Sequence, residues 1–168
     1  DRPAPAPAVR DYAFGADLYC ASDLAGGTAG GIGRLSTSNT AFYMAGWERA
    51  NTAWNLNYYA GGMPTSLASV TGQPALTVGA TYRVRLSMVG TELKLYVNGV
   101  PTLSTTHSTL TAVGKAGITH GADNPSPAGS DTTGVHIHTL QGTPRAPDRQ
   151  ATTPRDHPTP RPHSAAGA

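Results

Sequence analysis

The side chains best suited to chemistry crowd into residues 43–59. This stretch carries Tyr43, Trp47, Trp54, Tyr58 and Tyr59 together with Arg49, Asn51, Asn55 and Asn57. A saccharide ring offers apolar C–H faces to flat aromatic rings and hydroxyls to amides, and an apolar wall with a few placed polar groups is what a small-molecule site consists of. Trp, Tyr and Arg are also the residues that anchor protein interfaces. Tyr43, Trp47, Arg49, Asn55, Asn57 and Tyr59 are therefore the candidate ligand-contacting set. The plainer alternative puts Trp54 and Tyr58 in a core. Alternation then leaves Trp47 and Tyr59 on the strand faces opposite that core.

Two other groups have ligand chemistry for metals. Asp123, Asn124 and Asp131 fall in one polar segment, 121–134. Hard oxygen donors on a loop suit calcium, although the spacing matches no EF-hand. Asp123 and Asp131 are the candidate calcium ligands, and no other cofactor is expected. His136 and His138 stand two apart on an expected strand and so share a face. His120 and Asp123 could join them if their strands neighbour, since a zinc site needs three or more ligands. Two solvated histidines is the simpler reading.

Catalytic patterns are missing. Glycoside hydrolysis uses a pair of carboxylates facing each other, and the glutamates here are Glu48 and Glu92 alone, both read as turn residues. No Gly-x-Ser-x-Gly elbow occurs. The glycines at 26, 27, 30, 31 and 33 are followed by no Gly-Lys-Ser/Thr, so they make no phosphate loop. Cys20 is the one cysteine and reads as a small buried apolar side chain. The chain is read as a binding protein and not as an enzyme.

Charge narrows the partners. Charged residues make up 13% of the 168 residues and the formal net charge is +2. Several arginines (Arg145, Arg149, Arg155 and Arg161) sit among prolines, where no groove is built, so nucleic acid is not expected. No apolar run approaches the length of a membrane span. The chain starts at Asp1 without a leader sequence, which reads as a processed chain or a piece of a longer one.

The elements that must position these residues emerge from period-two patterning. Residues 1–9 alternate Pro and Ala and read as a stiff polyproline linker. Residues 143–168 lack apolar periodicity and read as a disordered Pro/Thr/Arg tail. Between them, 10–142 reads as one β domain. Tyr12, Phe14, Ala16 and Leu18 alternate along a first strand. Residues 26–31 read as a loop and 32–35 as the start of the next strand. Two strands around a polar turn at 48–52 make a hairpin, and 67–70 is a short strand. Tyr82, Val84, Leu86 and Met88 point inward, as do Leu93, Leu95 and Val97 after the Gly90–Thr91 turn. Asn98–Gly99 is the strongest short hairpin signal. Strands at 100–105, 116–120 and 135–140 complete about nine or ten, which is an all-β antiparallel sandwich or jelly roll.

The stretch from Ile32 to Leu140 resembles concanavalin A-like lectin/glucanase modules of the laminin G-like type. The resemblance runs in order through GGIGRLSTSNTAFYMAGW, GATYRVRLSMVGTELKLYVNGV, STTHSTLTAVGKAGI and GVHIHTLQ, with Tyr82, Arg85, Leu86, Gly90, Leu93, Tyr96, Asn98 and Gly99 at matching places. Such modules occur on secreted glycan-active proteins, adhesins and bacteriophage tail or fibre proteins. Where the family pattern commonly has Asp, this chain has His107, and it lacks the Asp-aromatic pair common at 138–140. Both departures remove carboxylates and weigh against an inherited calcium role. The resemblance implies a noncatalytic carbohydrate-binding or adhesion module of a larger secreted, cell-surface or virion protein, with a glycan or surface polysaccharide as ligand. The alternative is a structural or decoration domain of a bacteriophage virion that contacts other protein chains.

Overall fold

The computed structural model describes residues 11–21, 28–121 and 135–144, with residues 120–121 and the final strand described as backbone. Ten strands are present: β1 Tyr12–Cys20, β2 Thr28–Leu35, β3 Ala41–Glu48, β4 Ala53–Ala60, β5 Met63–Val70, β6 Thr81–Val89, β7 Glu92–Val97, β8 Val100–Thr106, β9 Lys115–Gly121 and β10 Val135–Pro144. They form two antiparallel five-stranded sheets, in the orders β10-β1-β6-β7-β8 and β5-β4-β3-β2-β9. Among the described residues there is no helix, and so none long and apolar enough to cross a membrane.

Each strand presents alternate residues inward, and the two inward faces make one core. The first sheet contributes Tyr12, Phe14, Leu18, Val84, Leu86, Met88, Leu93 and Leu95, with Tyr82 and Val97 packed against them. The second contributes Ala29, Tyr43, Ala45, Trp47, Trp54 and Leu56. Full burial of a large apolar side chain contributes about 2 kcal/mol each, which is the main force holding the sheets face to face. The inward sets expected for β6 and β7 meet in this interior. Asn98 (φ 51°) and Gly99 (φ 82°) form the β7–β8 turn, the left-handed geometry that Asn-Gly accepts most readily.

Three expectations about local structure change. The Gly-rich segment is strand from Thr28 onward, not loop. The reason is packing: a Cβ on Gly31 would fall 2.8 Å from the Phe14 ring, and one on Gly33 2.4 Å from Met88 Cε. β2 carries glycine there so that the opposite sheet can close onto it. β5 runs back to Met63 and is twice as long as expected. β10 continues to Pro144, with a register break between Ile137, paired with Leu18, and Thr139, paired with Asp17.

One end of the sandwich is tied by a buried arginine. The pairing of β2 with β9 slips between Ile32 and Leu35, and Arg34 takes φ 49° within the slip. This bulge turns a residue that alternation would send outward into the interior. Arg34 is 1% exposed. Its Nη1 donates to the carbonyls of Gly90 at 2.7 Å and Leu110 at 2.9 Å, and Nη2 lies 3.5 Å from the Asp11 carboxylate. Its backbone N–H donates to the Tyr12 hydroxyl at 2.6 Å. Burial raises the Tyr12 phenol above its ordinary pKa, although the hydrogen bond from Arg34 and its charge oppose that. Asp11 in turn accepts from the Gly90 N–H at 2.8 Å. Both sheets and the β8–β9 connection thus meet on one cation.

Candidate ligand-binding face

The β3–β4 hairpin decides where the candidate residues stand. Its register pairs Trp47 with Trp54, Ala45 with Leu56 and Tyr43 with Tyr58, and all of these face the core. The intervening pairs, Glu48–Ala53, Gly46–Asn55, Met44–Asn57 and Phe42–Tyr59, face outward. Ile32 joins Met44 from β2, and Ser69, Ser66 and Pro64 of β5 lie beside Asn55, Asn57 and Tyr59.

Tyr43 and Trp47 therefore cannot meet a ligand on the outer face, contrary to the sequence expectation. Trp47 is 1% exposed and packs edge-on against Trp54 at 5.2 Å between centroids. Tyr43 is fully buried. Its hydroxyl lies 2.9 Å from Nδ1 of His107 and accepts the Leu110 N–H at 3.1 Å. Burial raises its pKa, with the Leu110 hydrogen bond acting the other way. His107 also lies against the Tyr58 ring at 4.9 Å. Both faces of β3 are apolar, so alternation separates the two sets of residues without saying which set is inside.

The outer face has three zones. At one end, Phe42 and Tyr59 stack in parallel, centroids 4.8 Å apart and planes 8° from parallel, both half-buried. In the middle lie Met44, Ile32 and Asn57. Met44 is 4% exposed although it faces away from the core, so the centre of this face is sheltered. At the other end is a polar chain. Ser69 Oγ donates to Asn55 Oδ1 at 2.5 Å, and Asn55 Nδ2 donates to the Glu48 carboxylate in a short contact. Asn55 is 8% exposed. Glu48, expected in an exposed turn, is the half-buried last residue of β3. Arg49 begins the β3–β4 turn, and its carbonyl accepts the Thr52 N–H at 3.1 Å.

Between the polar chain and the apolar centre, the floor is bare backbone. Gly30 and Gly46 pair across β2 and β3. A Cβ on Gly30 would stand 2.2 Å from the Ala45 carbonyl oxygen, and one on Gly46 2.3 Å from that of Ala29. No side chain fits at either place, so the two strands meet backbone against backbone, and both glycines are buried. The adjacent Gly117 of β9 leaves Ile32 uncovered on its other flank.

Sequence reading missed Phe42, Met44, Glu48, Ser69 and the Gly30–Gly46 floor. The available signal was hairpin register: once Trp47 opposes Trp54, counting back places Phe42 opposite Tyr59. Ser69 needed the β4–β5 bulge between Leu56 and Asn57, which no local pattern announces.

The opposite outer face, on β1, β6 and β7, differs in character. Arg83 bonds Asp17 at 3.0 Å, Lys94 bonds Glu92 at 2.6 Å, and Arg85 lies over the Tyr96 ring at 4.2 Å. These are solvent-facing contacts of small energetic weight.

Asp123, Asn124 and Asp131 lie outside the described residues. His120 belongs to β9 and His136 and His138 to β10, which are in different sheets and do not pair. Among the described residues no group of three or more His, Cys, Asp or Glu could hold a metal ion.

No protein-family model and no curated protein sequence matches the chain. Solved structures do. The carbohydrate binding module CBM66 from Bacillus subtilis superposes with a TM-score of 0.63 at 12% identity, over 79% of this chain and 74% of that one. Sheep galectin-11 gives 0.59 at 9% identity over 85% and 98%, and the Caenorhabditis elegans galectin LEC-6 gives 0.59 at 15% over 84% and 88%. The chain has the concanavalin A-like jelly-roll fold that these proteins share.

Proposed function

We propose that this chain is a noncatalytic carbohydrate-binding module and that the saccharide lies across the outer face of β2, β3 and β4. The observation that carries the reading is the side-by-side placement of an aromatic pair, the half-buried Ile32 and Asn57, and a hydrogen-bonding chain within one sheet face. Strands lie about 4.8 Å apart, so a sugar ring spans roughly one strand interval of this face. Its C–H edge then meets Ile32, and its hydroxyls meet Glu48 and Ser69. A second ring extends toward Phe42 and Tyr59. The folds named as a carbohydrate binding module and as galectins support the same reading. Glu48 is the one carboxylate on this face among the described residues, whereas glycoside hydrolysis uses two.

The module serves, in this reading, an adhesive or substrate-holding part of a larger extracellular or surface-displayed protein. The Pro-rich composition of 1–9 and 143–168 suits tethers. Binding of the full chain to an array of immobilised oligosaccharides, followed by calorimetry on the best ligand, tests the proposal. Tyr59→Ala and Phe42→Ala are expected to weaken binding at least fivefold each while the protein stays folded. Unchanged affinity in both variants, or no glycan bound at all, removes the proposal and leaves a protein-contact role for this face.

A further inference from the structure

We infer, on the basis of the sugar-binding reading, that the saccharide lies lengthwise along β4 and its edge neighbour β5, as an internal run of about three linked rings of a longer chain. The accessible part of the face decides the path. Gly30, Gly46, Met44 and Asn55 are buried, whereas Ser69, Ser66 and Pro64 of β5 are exposed and Asn57 and Tyr59 of β4 are half-buried. Register sets these residues in three rungs: Asn55 beside Ser69, Asn57 beside Ser66 and Tyr59 beside Pro64. β5 is the outermost strand of its sheet, so the stripe follows an open margin.

A bulge makes the stripe. Ser66 and Ser69 are three residues apart, and regular alternation would put them on opposite faces. The register break between Leu56 and Asn57 gives β5 one extra residue there. Leu67 and Ala68 then both pack toward the core, and both serines face out.

Each rung offers hydrogen-bonding groups to a sugar, whose hydroxyls both donate and accept. At the first rung, Ser69 Oγ and the nearby Glu48 carboxylate accept, and Asn55 keeps a second amide N–H. Among the described residues, the side chains of Asn57 and Ser66 and the Tyr59 hydroxyl make no hydrogen bond, so an amide and two hydroxyls stay open to a ligand. Asn55 and Tyr59 are separated by about 13 Å along the strand, close to three strand intervals. One ring cannot reach both ends, and three linked rings can. Both ends of β5 run into glycine turns, at Gly61–Gly62 and at Gly72, and a Cβ on any of these would meet nothing within 4 Å. A bound chain therefore continues past the stripe in both directions, and the stripe holds its interior and not its terminus.

The test uses size series of one to six rings prepared from glucans, xylans, mannans and galactans, measured by calorimetry with the full chain. In the series that binds, affinity is expected to rise at least tenfold from one ring to three, because each added ring gains contacts without a further loss of translational freedom. It should change less than twofold from four rings to six. Capping both termini of the six-ring member should leave binding unchanged. Ser66→Arg fills the middle rung and should weaken the three-ring member at least tenfold, and Asn57→Ala at least threefold. Thr119→Arg, on β9 opposite Gly30, should change it less than twofold, since a lengthwise path never reaches β9. Circular dichroism checks that each variant is folded. One ring binding as tightly as three, loss of binding on capping, or a block by Thr119→Arg and not by Ser66→Arg overturns this inference. In those cases weaker binding by Tyr59→Ala keeps the sugar-binding reading in place. If no series binds, both fall together.

Discussion

Trp47 and Trp54 occupy directly opposed positions on β3 and β4, and their rings meet edge-on at 63° inside the sandwich. The edge-to-face arrangement sets the positive rim of one ring against the negative face of the other. Trp47 is therefore a structural residue, and removing it leaves a cavity. Trp47→Ala is expected to cost about 3–5 kcal/mol of stability, read from the midpoint of a urea unfolding curve. A loss below about 1 kcal/mol would mean that Trp47 is not held in the core.

Gly30→Ala tests the floor. The added methyl would meet the Ala45 carbonyl oxygen at 2.2 Å, a backbone atom that cannot swing aside. The strands must separate locally, at a cost of about 1–3 kcal/mol, comparable to overpacking in a core. Calorimetric melting should show the loss, and glycan binding should fall with it. A stable variant with raised β2–β3 order in amide exchange would contradict the close approach.

Arg34→Met removes two charge-assisted hydrogen bonds to carbonyls that sit at the closed end of the sandwich. Each such bond contributes roughly 1.5–3 kcal/mol, so a loss of about 3 kcal/mol is expected by chemical denaturation. Arg34→Lys should recover part of it, because a single ammonium reaches fewer acceptors than the forked guanidinium. Amide exchange should speed first at Leu110 and Gly90, whose segments the arginine joins.

Tyr12 and Tyr43 set an alkaline limit. Burial raises both phenols above their ordinary value. The folded state therefore holds these protons at pH values where the unfolded chain has begun to release them, and stability falls as protons are withdrawn. The contribution is intact below the unfolded value of about 10 and is lost as pH rises through the folded values. Urea midpoints measured from about pH 8 to 11.5 should decline above about 10. The decline should be shallower in Tyr12→Phe/Tyr43→Phe, compared with its own midpoint at the lowest pH. An equal slope in both proteins would show that other groups control the alkaline limit.

Alternation in 82–88 and 93–97 identified the inward residues of β6 and β7, because the outward positions there carry Arg83, Arg85 and Lys94 and only one face can be buried. Asn98–Gly99 located a turn for the same local reason: the backbone geometry is a property of those two residues. The segment around β3 was different. Phe42 and Met44 on one side and Tyr43, Ala45 and Trp47 on the other are both apolar, so the period was legible and the inside was not. Tertiary packing chose, by laying Trp47 against Trp54 and sending Phe42, Met44 and Glu48 outward. It also turned Arg34 inward through a bulge and brought Ser69 to Asn55 across another. A bulge shifts register by one residue and so reverses the facing of the residues beyond it, and that shift is set by contacts with distant strands and not by the residues on either side of it.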